Sequence, residues 1–125
     1  MMEAQKRVLV IGLEPTLDDF SNFPGLSAEK VMTALNGEQA KLKALGYDVQ
    51  PCLVDLGATA EAVVLQQLSQ NRFDCFVIGA GVRTVPERLS LFEKVINVVY
   101  QNAPSAKLCF NTNPSDTAEA VQRWV

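Results

Sequence analysis

A chain of 125 residues, 48% apolar and 20% charged, is long enough for one domain with a buried core and too short for two ordinary ones. Its net charge of −3 offers nucleic acid no basic face, and the lack of any histidine removes Ser-His-Asp and Cys-His catalysis, histidine-ligated zinc and imidazole proton shuttling. No run approaches the roughly 18–20 apolar residues of a membrane span and no secretory signal opens the chain, so a cytoplasmic protein is expected.

Taken in order, RVLVIGL (residues 7–13) is an unbroken apolar, β-branched run, the pattern of a strand covered on both faces. The longest irregular stretch, LEPTLDDFSNFPG (13–25), follows it. A first helix opens at Ser27, a residue of the N-cap type, and carries Val31, Leu35, Leu42 and Leu45 to a stop at Gly46. Asn36-Gly37 is a candidate break within it. DVQPCLVDL (48–56) reads as a second strand, which Pro51 places at a sheet edge, and residues 59–70 as a second helix.

FDCFVIG (73–79) is the third strand and runs into Gly79-Ala80-Gly81 and Arg83. The next helix, from Pro86 to about Asn102, carries two apolar stripes. Leu89, Phe92, Ile96 and Val99 are expected to face the core, and Leu91, Val95 and Val98 to stay outside as a partner or homodimer surface. AKLCFNT (106–112) is the fourth strand. A short helix then runs from about Pro114 to Trp124, with Ser115 or Asp116 as its cap, Glu119 completing a capping box from Asp116, and Trp124 sealing the core.

Strand and helix alternating four times predicts an α/β three-layer sandwich: a mainly parallel four-stranded sheet in the order 2-1-3-4, with right-handed crossovers and helices on both faces, within one domain spanning 1–125. In such a sheet ligands bind beyond the carboxyl ends of the strands, where the connections diverge. That rule collects Gly12, Glu14, Gly79, Gly81, Arg83, Thr84, Asn111, Thr112, Asn113 and Ser115 as ligand-contact candidates. Amides beside Gly79 and Gly81 could meet an anion, with Arg83 adding donors. Alternatively the glycines only supply a positive-φ strand exit, Arg83 is a surface residue, and Asn111 to Asp116 only cap a helix.

GAGVRT lacks the third glycine of a dinucleotide fingerprint and no P-loop is present, so no cofactor is assigned. Glu14, Asp18, Asp19 and Asp55 gather toward the same edge, but loop acids are ordinarily solvated and no metal is assigned. Cys52, Cys75 and Cys109 lie in apolar runs and read as core residues in a reducing compartment. No nucleophile or acid–base pair stands out.

Four stretches together resemble a receiver domain of the response-regulator type, in the flavodoxin-like architecture: RVLVIGLEP, LKALGYDVQPCLVDLGATAEAV, FDCFVIGAGVRTVPE and AKLCFNTNPSD. The resemblance implies a Mg²⁺-binding acidic pair where this chain has Gly12 and Leu13, with only Glu14 beside them, and a phosphoacceptor aspartate where it has Gly79. Thr112 matches the fourth-strand threonine. Lys107 opens that strand and cannot replace the lysine receivers carry after their last one. The resemblance thus implies a degenerate receiver that cannot be phosphorylated at the usual site, a non-catalytic signalling or protein-interaction module. The other reading is a binding protein, or an enzyme, for an anionic metabolite or nucleotide, held by the loops at the strand ends and the long stretch 13–25.

Overall fold

The computed structural model describes residues 5–125. Four strands, β1 (Arg7–Leu13), β2 (Asp48–Val54), β3 (Cys75–Ile78) and β4 (Lys107–Phe110), form an all-parallel sheet in the order 2-1-3-4. Among the described residues five α-helices accompany it: α1 (Ala28–Ala44), α2 (Ala60–Gln70), α3 (Ala80–Arg83), α4 (Leu89–Asn102) and α5 (Thr117–Gln122). The arrangement is an α/β sandwich consistent with a flavodoxin-like fold. Among the described residues no helix is long and apolar enough to cross a membrane.

The unbroken apolar runs follow from this layering. Along β1, Val8 and Val10 enter one core with Leu42 of α1 and Val121 of α5, while Leu9, Ile11 and Leu13 enter the other with Val64 of α2 and Val95 of α4. Strand residues alternate between faces and both faces are covered, so no polar alternation survives. Pro51 sits on edge strand β2, and since the N–H of Asp48 points inward to the Lys6 carbonyl at 2.9 Å, period-two alternation turns the Pro51 nitrogen outward.

Helix α1 is capped as its sequence suggests: Ser27 Oγ accepts from the Lys30 N–H at 3.2 Å, and Gly46, at φ +95°, lets the chain leave. It runs unbroken through Asn36-Gly37. Two short turns were not anticipated, a 3-10 turn at Pro15–Leu17 and the single turn α3.

Both stripes of α4 turn toward the core, the one expected outside more deeply. Leu91, Val95 and Val98, the interface candidates, are buried in the core with Val99. Of the stripe expected to face the core, Val99 is buried and Phe92 and Ile96 are half-buried against it, while Leu89, 58% exposed, stays outside with Tyr100, 67% exposed. Spacing alone gives both stripes equal claim, and packing against α2 and the sheet sets how deeply each is buried. Trp124 does not seal the core either, being 61% exposed; Val121 fills that position from α5.

Candidate functional site

Ile11 pairs with Ile78, so the carboxyl ends of β1 and β3 lie side by side. The chain leaves β1 toward α1 on one face and β3 toward α4 on the other, which opens a crevice between them. Residues 14–26 fold back across it. Glu14 caps the first turn, accepting from the Thr16 hydroxyl at 3.2 Å. Asp18 and Asp19 then tighten two turns by accepting from the N–H groups of Phe20 and Ser21 at 2.9 and 3.0 Å. Phe20 takes a left-handed backbone, φ 61°, and its side chain lines the crevice.

One ion pair bolts this strap down. Arg88, just before α4, meets Asp18 through both guanidinium ends, Nη2 to Oδ1 at 3.1 Å and Nη1 to Oδ2 at 3.3 Å, and Nη1 also donates to the Gly81 carbonyl at 2.7 Å. The two side chains are 11% and 5% exposed, so the pair is held largely out of water.

The strap closes a pocket of about 90 Å³. Pro15, Phe20 and Phe23 come from the strap, Leu26, Val31 and Leu35 from its end and α1, and Gly12, Gly79 and Gly81 from the strand ends. Asn111, Thr112, Asn113 and Pro114 complete it. Six of the expected contact residues therefore converge: Gly12, Gly79, Gly81, Asn111, Thr112 and Asn113.

Four do not line the pocket. Glu14 serves its own turn, and the Thr84 hydroxyl donates to the Ala80 carbonyl at 2.8 Å. Ser115 is exposed, its N–H held by Asn113 Oδ1 at 2.8 Å. Arg83 points toward β4, where Nη2 donates to the Asn111 carbonyl and the guanidinium carbon sits 5.2 Å from the centre of the Phe110 ring. Among the described residues no Lys or Arg lines the pocket, so Arg83 does not bring its expected fork of donors there.

Gly79 is a glycine for another reason than a positive-φ exit. Its φ is −67°, but a Cβ would lie 3.3 Å from the Ile11 carbonyl oxygen and 3.6 Å from Gly12 Cα. Close approach of β1 and β3 is what crowds a side chain there.

Asn111 is the buried keystone of the far wall. Its Oδ1 accepts from the Ala80 N–H at 2.9 Å and its Nδ2 donates to Thr117 Oγ1 at 3.1 Å, so one side chain ties β4, α3 and α5 together. Glu38 of α1 extends the network: Oε1 accepts from the Ala118 N–H at 2.9 Å, and Oε2 lies 3.0 Å from Lys41 Nζ. Asp116 holds the N-cap position of α5, but its side chain makes no cap bond there and the expected box with Glu119 does not form; it serves instead the preceding 3-10 turn Pro114–Asp116, in a capping box with Asn113.

Partial burial pushes the Asp116 carboxyl up, but the Thr112 hydroxyl, the Asn113 and Thr112 N–H groups and nearby Arg123 outweigh it and hold the group below its ordinary 3.8. A depressed folded-state value stabilises above the unfolded one and is lost as pH falls through the folded one, here below 3.8. Urea midpoints are therefore expected to fall on acidification through that range, and less steeply in Asp116→Asn. An unchanged acid limb in the variant would remove Asp116 from the account.

Asp55, the last of the four loop acids, is engaged locally too. Asp55 accepts from the Gly57 N–H at 2.9 Å and the Thr59 hydroxyl at 2.8 Å, which hold its carboxyl below the ordinary value. Among the described residues no three acidic or thiol groups gather as a metal ion needs. All three cysteines are buried and free; burial pushes the Cys52 thiol up to about 11, and Cys75 and Cys109 touch across β3 and β4 with sulfurs 3.1 Å apart. Phe20, Phe23, Arg88 and Glu38 were not anticipated; two phenylalanines within the irregular stretch 13–25 were the available signal for the strap.

No protein-family model matches the chain, and no curated protein is significantly similar to it.

Proposed function

We propose that the chain is a small-molecule-binding domain whose site is the strapped crevice between β1 and β3. The observation that carries this reading is the strap itself: residues 14–26 cross the position where open α/β sheets bind ligands, and a largely dry ion pair holds them there. Binding without catalysis is the better account, because the side-chain groups of Asn111, Thr112 and Asn113 are engaged with their own neighbours. Three free, buried thiols suit a cytoplasmic setting.

A second reading, a receiver-like interaction module that works without phosphorylation, draws on the outer face of α4, where Leu89 and Tyr100 stand exposed on one stripe. One comparison separates the two. A thermal-shift screen of metabolites and small aromatic or aliphatic compounds is expected to yield ligands that raise the melting temperature of the native chain but not of Val31→Phe, which fills the crevice from α1. Absence of such ligands, with concentration-dependent association abolished by Leu89→Asp, would move the weight to the second reading.

A further inference from the structure

We infer that the group bound in this crevice is an uncharged, apolar ring, about the size of benzene; the inference rests on the crevice being a ligand site. Size comes first. A pocket of about 90 Å³ is smaller than the roughly 150 Å³ apolar cavity known to take up benzene, so a ring enters as the half-buried strap side chains Phe20 and Phe23 swing outward.

Charge comes second. Asp18 is the one charged residue in the lining among the described residues, and both of its oxygens already face Arg88 while Oδ1 also accepts from the Phe20 N–H. An anion would meet no cation there, and a cation would have to displace Arg88. Either would surrender its hydration without a replacement partner.

Polarity comes third. Both ends of the Asn111 side chain are occupied, and the Thr112 hydroxyl donates to Asp116. Asn113 is held between Ser115 and Thr112. What the lining offers a guest is therefore the hydrocarbon of Leu13, Pro15, Leu26, Val31 and Leu35 and the rings of Phe20 and Phe23, which favour stacked or edge-on contact with another ring.

The test uses three probes of one ring size and different charge, benzyl alcohol, benzoate and benzylamine, titrated into the ¹⁵N-labelled full chain. Benzyl alcohol is expected to shift the Gly79, Gly81 and Phe20 amides saturably with a dissociation constant near ~1 mM, and the charged rings to bind at least about tenfold more weakly. Val31→Phe, or Leu35→Phe if the first fails to fold, is expected to abolish the shifts. Equal or tighter binding of benzoate or benzylamine at the same amides would overturn the inference while leaving the crevice as a ligand site. If no probe moves these amides and the wider screen finds no crevice ligand, both readings fall.

Discussion

Replacing Arg88 with alanine is expected to destabilise the protein by about 3 kcal/mol, because it leaves the Asp18 carboxylate, 5% exposed, facing the Gly81 region without its countercharge. The cost arises from stranding a desolvated charge, so it should shrink when the partner is removed as well. Asp18→Leu with Arg88→Leu is expected to recover most of the loss. Arg88→Lys should fall between, since an ammonium cannot meet both carboxylate oxygens and the Gly81 carbonyl with one planar fork. Urea unfolding of the four proteins measures all of this. If Arg88→Ala unfolds within about 0.5 kcal/mol of the native chain, the pair behaves as an exposed one and the strap is not bolted.

Asn111→Leu is expected to cost about 3 kcal/mol. Leucine keeps the approximate volume, but the buried Ala80 N–H loses its acceptor and Thr117 Oγ1 loses a donor. Thr117→Val, which removes only the α5 end of the network, should cost about 1 kcal/mol. The two losses also differ in place. Hydrogen exchange should accelerate at Ala80 in Asn111→Leu and stay native there in Thr117→Val. Identical exchange in both variants would mean that Asn111 does not hold the α3 turn, and the far wall of the crevice would need another support.

These expectations show where sequence reading stops. β1 to β4, the caps at Ser27 and Gly46, and the edge position of Pro51 are legible because each depends on residues within a few positions of one another. The converging loops are legible too, since parallel topology brings the carboxyl ends of the strands to one edge. Arg83 shows the limit: its loop lies where expected, yet its guanidinium turns to Phe110 and the Asn111 carbonyl because β4 offers a ring and an acceptor that no local pattern reveals.

By itself the sequence determined the alternating α/β plan, the strand order and the set of loops that could form a site. Hydrophobic period and turn chemistry are local properties, and they survive without knowledge of neighbours. Only the tertiary structure decided how deeply each stripe of α4 is buried, because a helix with an apolar arc around half its girth can seat itself more than one way until α2 and the sheet choose. It alone also joined Asp18 to Arg88, 70 positions away, and brought Gly79 against Ile11. Long-range charge pairing and backbone approach are consequences of packing, and they are what turn a strand exit into a strapped crevice.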